Sequence, residues 1–386
     1  MMRAMSKNPA ITRFNGLNNV SDALTLGLDW MVTANNINIT DAGKIEQRSG
    51  YALSQSGDFT DAFSTKNFDR TYLVDGGSLK TFEGTVLMTG LDDSPMFWAE
   101  INHQVYFNNG VDAGIINPDN TLLDLRWTAP SIPTLAAVTG NLDPGIYRVC
   151  VTNTLADGRE TGTSDPLAIT IEAGQALQIS DLSATSNVYI CAANSKVFNL
   201  APHIGTAMVW NSSPDNLGRE LMTDNMDPLP LGTECLAFFK GRLYVSHYFP
   251  ADDQTAIWFS QPLGFHLFNL NSDFYIVPGR VLMLGETDTA LIVGTDKAIH
   301  AYTSEGRQTL ADYGVIAGQH WSMDGEKAFF WSERGLCSAL PFQNLTEQQI
   351  SVAPGVSAGG VVVNQDGQKR YLVALQQGGT AFNPHS

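Results

Sequence analysis

Seven histidines, four cysteines and a few acidic pairs are the side chains in this chain best suited to chemistry. His103, His203, His247, His266, His300, His320 and His385 are scattered, and no two stand four residues apart. No single helix face would therefore present a pair of imidazoles to a metal, and strand ends and loops are their expected places. Cys150, Cys191, Cys235 and Cys337 form no CxxC pair and lie in apolar runs such as YRVCVTN and VYICAAN. Buried reduced thiols, not a zinc site or a disulfide scaffold, are expected there, because a free cysteine behaves as a small hydrophobe. Asn117-Pro-Asp-Asn and Asn364-Gln-Asp-Gly offer oxygens that suit calcium, but neither has EF-hand spacing, and Asx turns account for both. The pairs Asp92-Asp93 and Asp252-Asp253 have the residue types of a glycosidase and are expected to be exposed loop acids. Trp258, Phe259, Phe265, Phe268, Phe274 and Tyr275 could stack on a sugar, although a strand core is the expected use of so many aromatics. P-loop, post-strand GxGxxG and HExxH motifs are all missing. The residues thus assign no catalytic, cofactor-binding or metal position, and a protein that is not an enzyme and uses no cofactor is expected.

The elements that would carry these residues follow from composition and pattern. The 386 residues include 22 Lys+Arg and 39 Asp+Glu, a net charge of −17 with 16% of residues charged. That balance, without a basic run, argues against an autonomous nucleic-acid binder, which needs a cationic face to displace counterions. No apolar stretch reaches the roughly 20 residues of a membrane-spanning helix, and Met1 to Ala10 has no secretory pattern. Helical periodicity is scarce. Short runs rich in Tyr, Phe, Trp, Val and Ile appear instead: 71–74, 104–107, 146–151, 167–171, 188–191, 242–246, 256–259, 291–293, 328–331 and 370–375. Turn signals separate them, among them Asp75-Gly76-Gly77, Asn109-Gly110, Asp157-Gly158, Asp324-Gly325 and Asp366-Gly367. The chain reads as all-β.

Six segments repeat one plan of apolar strand, turn and partner strand: Tyr72 to Phe82, Val105 to Ile116, Arg242 to Ser246 with Ala256 to Ser260, Ala290 to Tyr302, Lys327 to Cys337, and Arg370 to Leu375. Blades arranged about an axis would bury both faces of such sheets, so a β-propeller of about six blades is expected. Between the second and third copies lies a stretch of different texture, opening at Thr128-Ala-Pro-Ser-Ile-Pro-Thr and closing at Asp227-Pro-Leu-Pro-Leu. Its short strands and bordering prolines resemble a fibronectin type III or immunoglobulin-like sandwich. The expected domains are residues 1–128 and 227–386 for the propeller and 129–226 for the inserted sandwich.

One stretch exceeds generic β patterning. Phe14-Asn-Gly-Leu-Asn-Asn is followed twenty residues on by Ala34-Asn-Asn-Ile-Asn-Ile-Thr-Asp-Ala-Gly-Lys-Ile-Glu-Gln-Arg-Ser-Gly-Tyr. With Phe259-Ser-Gln-Pro-Leu, Leu291-Ile-Val-Gly-Thr-Asp-Lys-Ala-Ile-His and Trp331-Ser-Glu-Arg-Gly-Leu, it resembles virion structural proteins of tailed bacteriophages. The resemblance implies a β-propeller subunit of the short-tail nozzle or hub, through which DNA leaves. It also implies a homo-oligomeric ring, a hexamer, folded in the host cytoplasm and built into the virion tail. The implied partners are portal-side adaptor ring proteins, tail fibre or spike proteins, DNA in transient passage, and the host envelope. An acidic wall would repel the DNA backbone and let it slide. A carbohydrate-binding or glycan-cleaving propeller of a fibre or spike is the alternative, and a head–tail connector or capsid-surface protein is a third reading.

Overall fold

The computed structural model describes residues 11–377 except 41, 51 and 366. Strands and turns make up the described residues, with one 3-10 turn at Pro214–Asn216 and no α-helix. The all-β expectation therefore holds. All ten runs picked out above are strands; Leu167–Ile171 matches end for end, and 146–151 lengthens to Gly145–Asn153. The chain forms two compact units, Phe59–Gly279 and Met1–Asp58 with Arg280–Ser386.

The first unit begins with two four-stranded antiparallel meanders, at 59–89 and 97–124, and ends with a larger sheet at 233–278. Two-residue turns set their registers. Gly76 and Gly77 have φ of 53° and 68°, the paired left-handed geometry that matches the twist of a hairpin. Asn102-His103 (51°, 64°) and Lys240-Gly241 (46°, 73°) use the same geometry with bulkier residues. Strict alternation then buries the second sheet on both faces. Val105, Phe107 and Ile116 meet Tyr72, Val74 and Leu79 of the first sheet. Tyr106 and Ile115 meet Leu236, Phe238, Leu243 and Val245 of the third.

Between the second and third sheets, residues 134–210 close a core of their own. Thr134–Thr139, Gln175–Ser180 and Met208–Trp210 form one sheet; Leu167–Ile171, Gly145–Asn153, Ser186–Cys191 and Asn199–Ala201 form the other. Tyr147, Val149, Val151, Val188 and Ile190 pack against Leu177, Ile179 and Trp210, as in a β-sandwich. The chains entering and leaving this sandwich are sewn together by Arg126. Its guanidinium donates to the carbonyls of Leu229 (3.0 Å), Pro230 (3.2 Å), Gly110 (3.3 Å) and Val111, and to Asn108 Oδ1 (3.3 Å). Asn108, fully buried, donates through Nδ2 to the carbonyls of Thr233 (2.7 Å) and Glu234 (3.1 Å). Gly162 lies so close to the linker that a Cβ there would overlap the Met226 carbonyl and meet Trp127 Cη2 at 2.8 Å.

The second unit holds two more four-stranded meanders, at 281–311 and 322–344. They share a core of Ile292, Ile299, Ala301, Phe330 and Cys337. A hairpin of Ser357–Gln365 and Gln368–Gln376 follows, and its Ala358, Tyr371 and Leu375 pack on Trp331 and Ile316. Each of the six sequence copies thus falls in a separate sheet, the sixth being two-stranded where the others have at least four strands. Residues 11–58 form an arm outside the meanders. Gly16–Leu17 pairs in parallel with Trp30–Met31, and Ile37–Ile39 pairs antiparallel with Ile45–Gln47.

Candidate functional site

Two of the segments that carry the phage resemblance bond to one stretch of the second unit, residues 345–351. Asn19, the last residue of Phe14-Asn-Gly-Leu-Asn-Asn, donates its backbone N–H to the Gln349 carbonyl (2.9 Å). Its amide donates to the Ser351 carbonyl (2.9 Å), and its Oδ1 accepts from the Ser351 N–H (2.7 Å). Asn18 Oδ1 accepts from the Val20 and Ser21 N–H groups, an Asx turn that aims the arm. The other segment, Trp331-Ser-Glu-Arg-Gly-Leu, forms the turn between Lys327–Ser332 and Gly335–Ala339. Val20, Trp331, Glu333, Arg334, Gly335, Glu347, Ile350, Ser351 and Val352 enclose a cleft of about 260 Å³. Arg334 lies over the Tyr313 ring at 4.5 Å and pairs with Glu347 across 3.3 Å. Glu333 accepts the Gly314 N–H through Oε2 at 3.1 Å. Burial pushes the Tyr313 hydroxyl up to about 12. The cleft mixes apolar walls with one cation and two carboxylates, which suits a protein segment or a small polar ligand.

Beneath the cleft His320 is fully buried. Its Nε2 bonds the Ile316 carbonyl (2.6 Å), its Nδ1 accepts the Trp331 N–H (3.1 Å), and Tyr371 donates to its carbonyl (2.6 Å). This fixes a neutral ring with the proton on Nε2. Burial holds its pKa down at about 4.

The other histidines do separate things. His103 occupies a hairpin turn, His203 lies in a loop, His247 bonds the Gly232 carbonyl at 3.0 Å, and His300 faces Thr309 at 3.2 Å. His385 lies outside the described residues. His266 bonds the Glu160 carbonyl through Nε2 (2.9 Å), while its own carbonyl accepts the Trp127 indole (2.7 Å). The four cysteines are buried and none is in a disulfide, as expected of reduced thiols. Burial lifts Cys150 to about 12 and Cys191 to about 11, too high for a reactive thiolate. Among the described residues no group of three or more His, Cys, Asp or Glu could hold a metal ion.

Asp119 accepts the Thr121 N–H and hydroxyl, closing the Asx turn read at 117–120; the turn at 364–367 includes Asp366, outside the described residues. Asp92 binds the Ser94 N–H, and Asp253 accepts the Tyr248 hydroxyl, so both acid pairs contribute local turn bonds. The aromatic group divides. Phe268 is fully buried, and Trp258 and Phe265 pack on the same core, but Phe274 and Tyr275 are each 38% exposed. The strand-core expectation fails for those two because they lie on Phe274–Pro278, the sheet's outermost strand.

One carboxylate is held in a built polar network. Glu160 Oε1 accepts from the Thr152 hydroxyl (2.5 Å) and the Tyr189 hydroxyl (2.8 Å), and Oε2 pairs with Arg219 (2.5 Å). Burial alone would raise its pKa; the bonds from Thr152, Arg219 and Tyr189 outweigh it and hold Glu160 below the usual carboxylate value. No spacing rule exposed this cluster, since its members are drawn from four separate segments.

No family model matches the chain, and no curated protein does. Among solved structures it is similar to the extracellular domain of the putative hybrid two component system BT4673 from B. thetaiotaomicron, at 10% identity and TM-score 0.32. That match covers 82% of this chain, which spans only 37% of the other's length. Apo AztD from Citrobacter koseri matches at 11% identity and TM-score 0.29, covering 88% of this chain and 90% of that one. PorZ, a surface component of the type-IX secretion system of Porphyromonas gingivalis, matches at 12% identity and TM-score 0.22, covering 86% of this chain and 52% of its own. Scores this low carry no argument about function or about the number of blades.

Proposed function

We propose that the chain is a structural subunit of a short bacteriophage tail, a propeller with an inserted sandwich that joins copies of itself into a nozzle or hub ring. The observation that carries this reading is the arm. Bonds from Asn19 pin its base to 349–351, yet it holds Leu24 (93% exposed), Leu28 (66%) and Leu53 (84%) out in solvent. Large apolar side chains presented by an anchored segment suit burial by a neighbouring subunit. Two supports come from elsewhere. Consecutive meanders share cores face to face within each unit, the packing of propeller blades. The net charge of −17 suits a wall past which DNA slides. In this reading the protein performs no catalysis and resides in the virion tail, and adaptor and fibre proteins dock on its ring.

The exposed Phe274 and Tyr275, near the ring cluster of His247, Phe249 and Trp258, favour saccharide binding as the second reading. Native mass spectrometry and electron microscopy of the full chain test the first: a closed ring, six subunits by the resemblance, is expected. A monomer that binds or cleaves host polysaccharide would overturn it.

A further inference from the structure

In the five meander sheets the second strands, Thr71–Asp75, Gln104–Asn108, Arg242–Phe249, Leu291–Thr295 and Lys327–Ser332, each have a neighbour on both sides. The sixth module departs from this rule. Ser357–Gln365 is held on its inner side by bonds from the Ala358 N–H to the Ala317 carbonyl (2.8 Å) and from the Gly360 N–H to the Gln319 carbonyl (2.8 Å). The Val362 N–H bonds Ser322 Oγ at 2.9 Å. Gln368–Gln376 pairs with Ser357–Gln365 alone, so its outer edge carries no strand among the described residues. An open nine-residue edge is a template for strand addition, and natural proteins cover such edges or fill them.

The arm offers a counterpart. Ile37–Ile39 and Ile45–Gln47 also form a two-stranded sheet, and Ile45, Glu46 and Gln47 are all exposed. Two plus two strands would make the four that most of the other modules have. Among the described residues of one chain the two sheets do not pair.

We infer that the outer edge of Gln368–Gln376 is a strand-addition site filled by the Ile37–Ile39/Ile45–Gln47 hairpin of a second copy of this chain. The contact is head-to-tail, so each copy both donates and accepts, and repetition closes a ring or extends a filament. This deepens the assembly reading proposed above and rests on it.

Hydrogen exchange of the full chain over a dilution series, with mass measured alongside, tests the inference. The amides of 368–376 and 45–47 that point away from their hairpin partners should lose protection together, in step with dissociation. Ile45→Pro, which removes a donor N–H from an exposed strand, should weaken association at least tenfold while leaving exchange in the meanders unchanged. A chain that stays monomeric at every concentration sinks both this inference and the assembly reading. Oligomers whose outward-pointing 368–376 amides exchange as fast as in the monomer sink the strand addition alone. Protection that persists in the monomer at the amides of 368–376 pointing away from Ser357–Gln365 overturns it too, because the edge would then be filled within one chain.

Discussion

The indole of Trp127 donates to the carbonyl of His266 at 2.7 Å, and the ring of His266 bonds the carbonyl of Glu160 at 2.9 Å. Three residues from the sandwich entry, the third meander sheet and a sandwich loop are thereby locked in series. Trp127 is 4% exposed and His266 7%. The sandwich is thus held against the third sheet by directional bonds in a dry place, where a lost partner leaves an unpaired carbonyl.

Trp127→Phe keeps an aromatic ring and removes the donor. A loss of about 1–3 kcal/mol is expected from stranding the His266 carbonyl. Denaturant unfolding measures it, and faster exchange at 160–162 and 264–268 than in the sandwich core would localise it. An unchanged midpoint would show that the bond contributes nothing.

Gly162→Ala tests close approach at the same seam. The added methyl overlaps the Met226 carbonyl, which is backbone and cannot swing aside. Overpacking of this kind costs about 1–3 kcal/mol. Limited proteolysis should cut the mutant preferentially at 224–230.

Asp61 carries a penalty. Burial raises its carboxyl to about 6, only partly countered by a bond from the Met96 N–H. The folded pKa exceeds the unfolded one, so stability is fully present below the unfolded value near 3.8 and is lost as pH rises through 6. Asp61→Asn keeps an acceptor for Met96 and removes the charge. Allowing for partial exposure, it should stabilise the protein at pH 7 by about 1–2 kcal/mol and leave pH 3.5 unchanged. Thermal melts at the two pH values give the difference.

His320 acts in the opposite sense. Its folded pKa, about 4, lies below the ordinary 6.5. Stability is therefore complete above 6.5 and falls as acid charges the unfolded ring first, by about 3 kcal/mol on reaching pH 4. Glu160, held below its usual value, adds a further loss below about 4.5. His320→Gln should lower the melting temperature at pH 7 and flatten its fall between pH 6.5 and 4. A parallel pH profile in the mutant would contradict the assignment.

How much of this was legible beforehand depends on the range of the interaction. Strand positions were, because alternation and turn chemistry are local: Leu167–Ile171 needed nothing beyond its own residues. Asp75-Gly76-Gly77 announced its turn, whereas Asn102-His103 did not, since it contains no glycine. The Asn109-Gly110 turn was foreseen as a turn, but the role of its neighbour Asn108 was not. That role depends on Thr233, 125 residues further along the chain. The Asn19–Ser351 contact spans nearly the whole chain, and only the motif around Asn19 hinted that its position mattered. Phe274 and Tyr275 were misjudged because composition reveals an aromatic cluster without revealing which strand lies at the edge.

Arg126 also sets an order of events during synthesis. Its acceptors Leu229 and Pro230 leave the ribosome about a hundred residues after it, at chain growth of roughly 5–20 residues per second. Throughout that interval Tyr106 and Ile115 wait for Leu236 and Phe238, with one face of their sheet still wet. The guest module, emerging in between, can close its core first and bring the two halves of its host within reach of each other. The splice that interrupts the meanders in sequence would then serve as the folded clasp around which they are assembled.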